Sequence, residues 1–209
     1  MAKMYPPDYR DINESSAERK IFNLLKSAPN TDSWTVLHSL GLSRRPSGPY
    51  GEIDFVIVIP GEGVICLEVK GGRVSCDNGV WQTVDKTGRV HCLNKSPFLQ
   101  SRNSMFALKN SIRKKFGIKH CLSRCPIGSA VAFPDIPCPP VSPEFERTDV
   151  LDENDMSRSI SKALMHFAKS RLNEFQSAKR IPSLSESKEL ISFLRPNFEY
   201  VVSRGATVH

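Results

Sequence analysis

Apolar positions along this chain switch between a two-residue and a helical period, and the switches mark its elements. Ile and Val dominate 52–59 and 63–70, and the three residues Pro60-Gly61-Glu62 between them are a turn signal. These runs predict a β-hairpin apolar on both faces. Upstream, Ile21, Phe22, Leu24, Leu25 and Ala28 recur at helical spacing behind Ser15-Ser16-Ala17-Glu18, a capping box with Ser15 as N-cap. The stretch 34–40 alternates as a strand, and His38 within it reads as a strand histidine satisfied by its neighbours rather than as a catalyst.

Beyond the hairpin, Gly71-Gly72 breaks the strand. The runs 73–77 and 80–84 flank Asn78-Gly79, a type I′ turn signal, and 89–93 completes a meander in which Trp81 reads as packing. Ser96 as N-cap and Pro97 at the first helical position open a helix over 97–116, with Met105, Leu108, Ile112 and Phe116 on its core stripe. The run 127–133 predicts a buried strand, the prolines from Pro134 to Pro143 a rigid surface loop, and 149–151 an edge strand. From 152 to 179 Met156, Ile160, Leu164, Phe167 and Leu172 keep helical spacing, and Ser183-Leu184-Ser185-Glu186 caps a last short helix ended by Pro196. Residues 1–14 show no periodicity and are expected to be a flexible tail.

Against this apolar background the hairpin carries Asp54, Glu68 and Lys70 at one end. Charge withdrawn from water needs a partner or a metal, so the cluster reads as a site. Alternation puts Glu68 and Lys70 on one face. A three-residue loop sets Asp54 opposite Glu68, with Cβ atoms roughly 4.5–5.5 Å apart, where a divalent cation would remove the repulsion between carboxylates. A two-residue loop would instead pair Asp54 with Val69 and separate the two acids, so the reading turns on register.

Gly51-Glu52-Ile53-Asp54 followed by Glu68-Val69-Lys70-Gly71 resembles the NERD (nuclease-related) domain of the PD-(D/E)XK nuclease superfamily. The residue before Asp54 is Ile53 rather than the proline of the superfamily's name, at a position that varies widely there. The resemblance spans about 15–151, leaving 152–209 as a C-terminal helical extension. It implies an α/β fold: a restriction-endonuclease-like α-β-β-β-α-β core with a mixed sheet, an inserted β-meander and C-terminal helices. It also implies Mg²⁺- or Mn²⁺-dependent hydrolysis of phosphodiester bonds in DNA. Asp54 and Glu68 would be the hard oxygen ligands such ions prefer, joined by the Val69 carbonyl, with Lys70 steering the nucleophile and Glu52 lying outside the ligand set.

Two further roles come with the resemblance. Glu18 has a capping reading and a second one, as an inward-facing glutamate that supplements the metal site. Gln100 of Pro97-Phe98-Leu99-Gln100 is either a surface residue or the glutamine several related families carry on the helix after the E-x-K strand. Phe193-Leu194-Arg195-Pro196 resembles the junction before a helicase module in NERD-containing helicases, so a helicase or other protein partner is an expectation.

Net charge is +7 and the isoelectric point about 9.2, which favours a polyanionic partner. Arg44-Arg45 in the loop before the hairpin and Arg113-Lys114-Lys115 at the end of the long helix are candidate phosphate contacts; the alternatives are a solvated loop and helix-dipole compensation. A catalytically inactive basic nucleic-acid-binding or docking module and a hydrolase of RNA are the competing functions. No apolar run approaches the roughly 20 residues a membrane helix needs, and the N-terminus has no apolar signal core, so a cytoplasmic location is expected. The six cysteines are read as free thiols. Cys121, Cys125, Cys138 and His120 form the only zinc candidate, one lacking a second tight pair.

Overall fold

The computed structural model describes residues 1–10, 15–43, 51–85, 87–172 and 182–199. Its centre is the predicted hairpin, β3 (Gly51–Ile59) and β4 (Gly63–Val69). The turn holds Gly61 at φ +86°, and the Glu62 N–H donates to the Ile59 carbonyl. The connection is the three-residue one, so Phe55 pairs with Leu67 and Ile57 with Ile65. The ladder ends at the Phe55–Leu67 pair, one step short of Asp54 and Glu68.

Around the hairpin a six-stranded mixed sheet runs β1 (Lys3–Tyr5), β2 (Thr35–Leu42), β3, β4, β8 (Ile127–Ala132), β9 (Val150–Leu151). The pairs β2–β3 and β3–β4 are antiparallel; β1–β2, β4–β8 and β8–β9 are parallel. The separate meander is β5 (Arg73–Asp77), β6 (Val80–Val84) and β7 (Val90–Cys92). Trp81 is buried there against Phe98, Phe133 and Phe145, which ties the meander to the main body and leaves the indole as packing.

Strand alternation sends the two sides of the sheet into different cores. Phe55, Ile57, Ile65 and Leu67 pack with Ile21, Phe22 and Leu25 of α1 (Ser16–Ser27) and with Ile160, Leu164 and Phe167 of α4 (Ile160–Phe167). Val56, Val58, Val64 and Cys66 face Leu108 and Ile112 of α2 (Pro97–Phe116) and Leu190 of α5 (Leu184–Leu194). Helix α2 has the bounds and the Ser96 cap that its sequence predicts, with the Ser96 hydroxyl accepting the Leu99 N–H.

Three expectations change. The N-terminus is not a loose tail: residues 3–5 add a parallel strand to β2, with Ala2 and Met4 buried, because that sheet edge offers unpaired backbone groups and an apolar seat. The single helix expected over 152–179 is divided into α3 (Glu153–Arg158) and α4 at Ser159, whose extended backbone lets its hydroxyl accept the Lys162 N–H, and α4 then runs into a π-turn over Ala168–Leu172. The zinc candidate is dispersed. His120 Nδ1 accepts the Leu122 N–H to cap a short 3-10 turn, Cys138 lies where its N–H meets Asp152, and among the described residues no three His, Cys, Asp or Glu converge as a metal cage. All six cysteines are free.

Candidate active site at the open end of β3 and β4

Apolar strands with charges only at one end leave those charges at the mouth of the hairpin, between α1 and α2. Glu68 ends up fully buried, with 1% of its side chain exposed, and Lys70 Nζ lies 2.6 Å from its Oε1. On the facing strand Asp54 Oδ2 accepts the Val69 N–H at 2.8 Å. Burial pushes the Asp54 carboxyl well above the usual carboxylate range; the nearby charges of Glu68 and then Glu18 push the same way, only partly offset by the Val69 N–H and Lys70.

Backbone geometry creates room for this. Opposite Asp54 on β2 lies Ser39, a non-glycine residue at φ +52°. The β2–β3 pairing has His38 against Phe55 and Leu40 against Ile53, and the pair between them is missing from the ladder. Ile53 accordingly joins Leu40 and Leu42 on the α2 side, although plain alternation from Phe55 would put it on the other. The strand turns at Asp54, and the Asp54 side chain takes up the β4 N–H where the backbone pairing stops at Phe55 and Leu67.

Helix α1 brings in the third acid. Ser15 caps the helix by accepting the Glu18 N–H, while the Glu18 carboxylate turns inward to His38 Nε2 at 3.1 Å. His38 is buried among Tyr9, Phe22 and Phe55. Nothing in the local sequence links His38 to the site, since only the packing of α1 on β2 joins residues 20 apart. Gly71 lets that helix approach: a Cβ there would lie 2.3 Å from the Ala17 Cβ. Gly72, at φ +73°, donates its N–H to Asp135, whose carboxylate also receives Lys20 of α1. Asp135 had no signal in the sequence beyond following the β8 strand.

Asp54, Glu68, Lys70 and Glu18 are thus gathered at one place. Val69 is buried in the strand between them, its carbonyl carried by a backbone in register with Ala132. Gln100 is half-buried in the first turns of α2, next to Ser101, whose hydroxyl donates to the Cys66 and Ala130 carbonyls and seats that end of the helix over β4 and β8. Arg113, Lys114 and Lys115 are exposed at the other end of α2, about 20 Å along the axis from Gln100 at 1.5 Å per residue. Lys114 and Lys115 line a cleft with Gly41 and Ser43, at the end of β2 that pairs with the start of β3. Arg44 and Arg45 lie outside the described residues.

Asp54 and Glu68, two electrostatically coupled carboxylates in a region of low polarity, are donors of the kind a hard divalent cation takes, although among the described residues no three His, Cys, Asp or Glu converge into a cage. A cation there would offset the burial, and after it the repulsion from Glu68 and Glu18, that hold the Asp54 carboxyl up. Among the described residues no helix is long and apolar enough to cross a membrane.

Comparison with known proteins identifies the family. The sequence model of the nuclease-related domain, NERD, matches residues 14–134, more than half of the chain, and the match includes Asp54, Glu68 and Lys70. No curated protein and no solved structure matches. Together with the mixed sheet and its flanking helices, the match assigns the fold as restriction-endonuclease-like, and the chain belongs to the nuclease-related (NERD) domain family.

Proposed function

We propose that this protein is a Mg²⁺- or Mn²⁺-dependent nuclease that hydrolyses phosphodiester bonds in DNA, with residues 15–151 as its catalytic core. The observation that carries the reading is the meeting of Asp54, Glu68 and Lys70 at the mouth of an otherwise apolar hairpin, with Asp54 driven toward its neutral form by burial and by two other acids. A site that holds acids at this cost has a use for a cation.

Asp54 and Glu68 would hold the ion together with the Val69 carbonyl. Once bound there it supplies an acidified water and positive charge beside the scissile phosphate. The Val69 N–H fixes the Asp54 rotamer, and Lys70 keeps an ammonium against Glu68, where it can orient the attacking water and offset charge developing on the phosphate. Glu18, held by His38, adds negative potential that favours cation binding. Gln100 would position substrate from the start of α2. The excess of positive charge, with Lys114 and Lys115 exposed near the start of β3, favours a polyanion. A cytoplasmic setting and a helicase or other protein partner complete the proposal.

One observation favours a second reading. The Lys70–Glu68 contact already neutralises the buried acid without a metal, as expected of an inactive nucleic-acid-binding or docking module. Incubation of plasmid DNA, and of an RNA of matched length, with Mg²⁺, Mn²⁺ or EDTA separates the two. Metal-dependent cleavage that Asp54→Asn abolishes supports the nuclease. Binding that survives EDTA without cleavage in any metal supports the module.

A further inference from the structure

A cleft of about 530 Å³ is enclosed by the N-terminal segment, the end of β2, the start of β3 and the residues that follow α5. Arg10, His38, Ser39, Glu52, Arg195 and Asn197 are among its lining residues. We propose that this cleft seats a phosphate group of the bound nucleic acid, with Arg10 and Arg195 as positioning residues that set where the strand lies relative to Asp54. The inference rests on the nuclease-related reading of the site and deepens it.

The arrangement of Arg195 is that of a built anion site. One terminal nitrogen of its guanidinium donates to the main-chain carbonyls of His38 and Ser39, the latter at 2.9 Å, which anchors a planar group carrying five donors. Its Nε is buried and finds no hydrogen-bond partner among the described residues. Buried donors are nearly always satisfied; the other terminal nitrogen of the same fork makes no hydrogen bond among the described residues, and Arg195 lines the open cleft. Ser39 holds φ +52° while presenting its carbonyl to Arg195, and a strained non-glycine residue at a cleft marks a place where geometry is held for use.

The charge balance agrees. Burial and the neighbouring Arg10 both press Arg195 toward losing its proton, and Glu52 works against them. The lining residues carry two guanidinium groups against one carboxylate, Glu52. A phosphate oxyanion in the cleft would accept from the outward edge of the guanidinium and relieve the repulsion between the arginines at once. The place is equally specific: Ser39, one of the lining residues, falls at the gap in the β2–β3 ladder between the His38–Phe55 and Leu40–Ile53 pairs, the step at which β3 carries Asp54. A phosphate held here would lie beside the strand segment that bears the candidate metal ligand. The residues after α5 thereby acquire a task in substrate placement.

The phosphate could be a terminal monoester or an internal diester, and the test distinguishes them. Fluorescent oligonucleotides with 5′-phosphate, 3′-phosphate or hydroxyl ends, and a circular one, are titrated in EDTA over a range of salt with the full chain, Arg10→Gln and Arg195→Gln. Each substitution is expected to weaken binding about tenfold and to reduce the salt slope by about one. Loss of the preference for one phosphorylated end identifies a terminal phosphate; equal loss on all four identifies an internal one. Arg10 is exposed, so its variant keeps the test valid even where Arg195→Gln disturbs folding. Arg10→Gln with unchanged affinity and slope on every oligonucleotide overturns the proposal. Because no metal is present, a protein that never cleaves but shows the slope change defeats the nuclease reading alone, and one that cleaves without the slope change defeats this inference alone.

Discussion

The Asp54 carboxylate accepts the backbone N–H of Val69 at 2.8 Å, so an acidic side chain of one strand completes the hydrogen bonding of the next at the point where their ladder ends. This contact fixes the side chain in place, yet burial and the facing acids still drive its carboxyl upward. The site is therefore both ordered and electrostatically loaded, and that combination has measurable consequences.

Asp54→Asn keeps an acceptor for Val69 while removing the charge. A carboxyl raised in the folded state binds its proton more tightly there than in the unfolded chain, so wild-type stability falls as pH rises from the ordinary carboxylate range, about 4, through the folded value. The Asn variant is expected to melt higher than wild type at neutral pH, by about 2–4 °C for each kcal/mol relieved, and the two to converge on acidification. Thermal melts across pH read this directly. A variant that melts lower than wild type at neutral pH would contradict it. For wild type, Mg²⁺ should raise the melting temperature at neutral pH and progressively less as Asp54 takes up its proton.

Lys70→Ala is expected to cut turnover by about 10²–10³-fold, the size of one preorganised electrostatic contact. It also strips Glu68 of its 2.6 Å partner in a buried setting, so the variant should melt below wild type and recover part of the loss when Mg²⁺ or Mn²⁺ is added. Cleavage assays with parallel melts test both. Full turnover in this variant would remove Lys70 from the chemistry.

Gly71→Ala drives a methyl group into the Ala17 Cβ and must displace the start of α1. Overpacking of this kind costs about 1–3 kcal/mol, and the displacement carries Glu18 away from Asp54. Denaturant titration should show the loss, and Ala17→Gly in the same chain should restore most of it. A double variant as unstable as the single one would show that the clash lies elsewhere.

His38→Phe preserves a ring among Tyr9, Phe22 and Phe55 but removes the atom that holds Glu18 at 3.1 Å. The expected result is a fold that survives with weakened Mg²⁺ binding, seen as a rightward shift in the metal dependence of cleavage. Glu18→Gln should give the same shift. An unchanged metal dependence in both would confine Glu18 to a structural role.

Much of the site could be read from local pattern. The three residues Pro60-Gly61-Glu62 set the hairpin register, and that register carries Asp54 and Glu68 to the same end of the hairpin. Ser96 and Pro97 set the start of α2 with no help from the rest of the chain. Such signals are short-range: alternation, turn chemistry and capping act within a few residues, and the backbone obeys them wherever the segment packs.

The sequence by itself determined the α/β class, the hairpin and the meeting of two acids and a lysine at its mouth. Only the tertiary structure decided that Glu18 turns to His38, that residues 3–5 add a strand beside β2, that Ser159 divides the C-terminal helix, and that Arg195 reaches a carbonyl 157 residues away. Those features depend on which distant elements share a core and which buried polar groups must be satisfied there, and no periodicity along the chain encodes that choice.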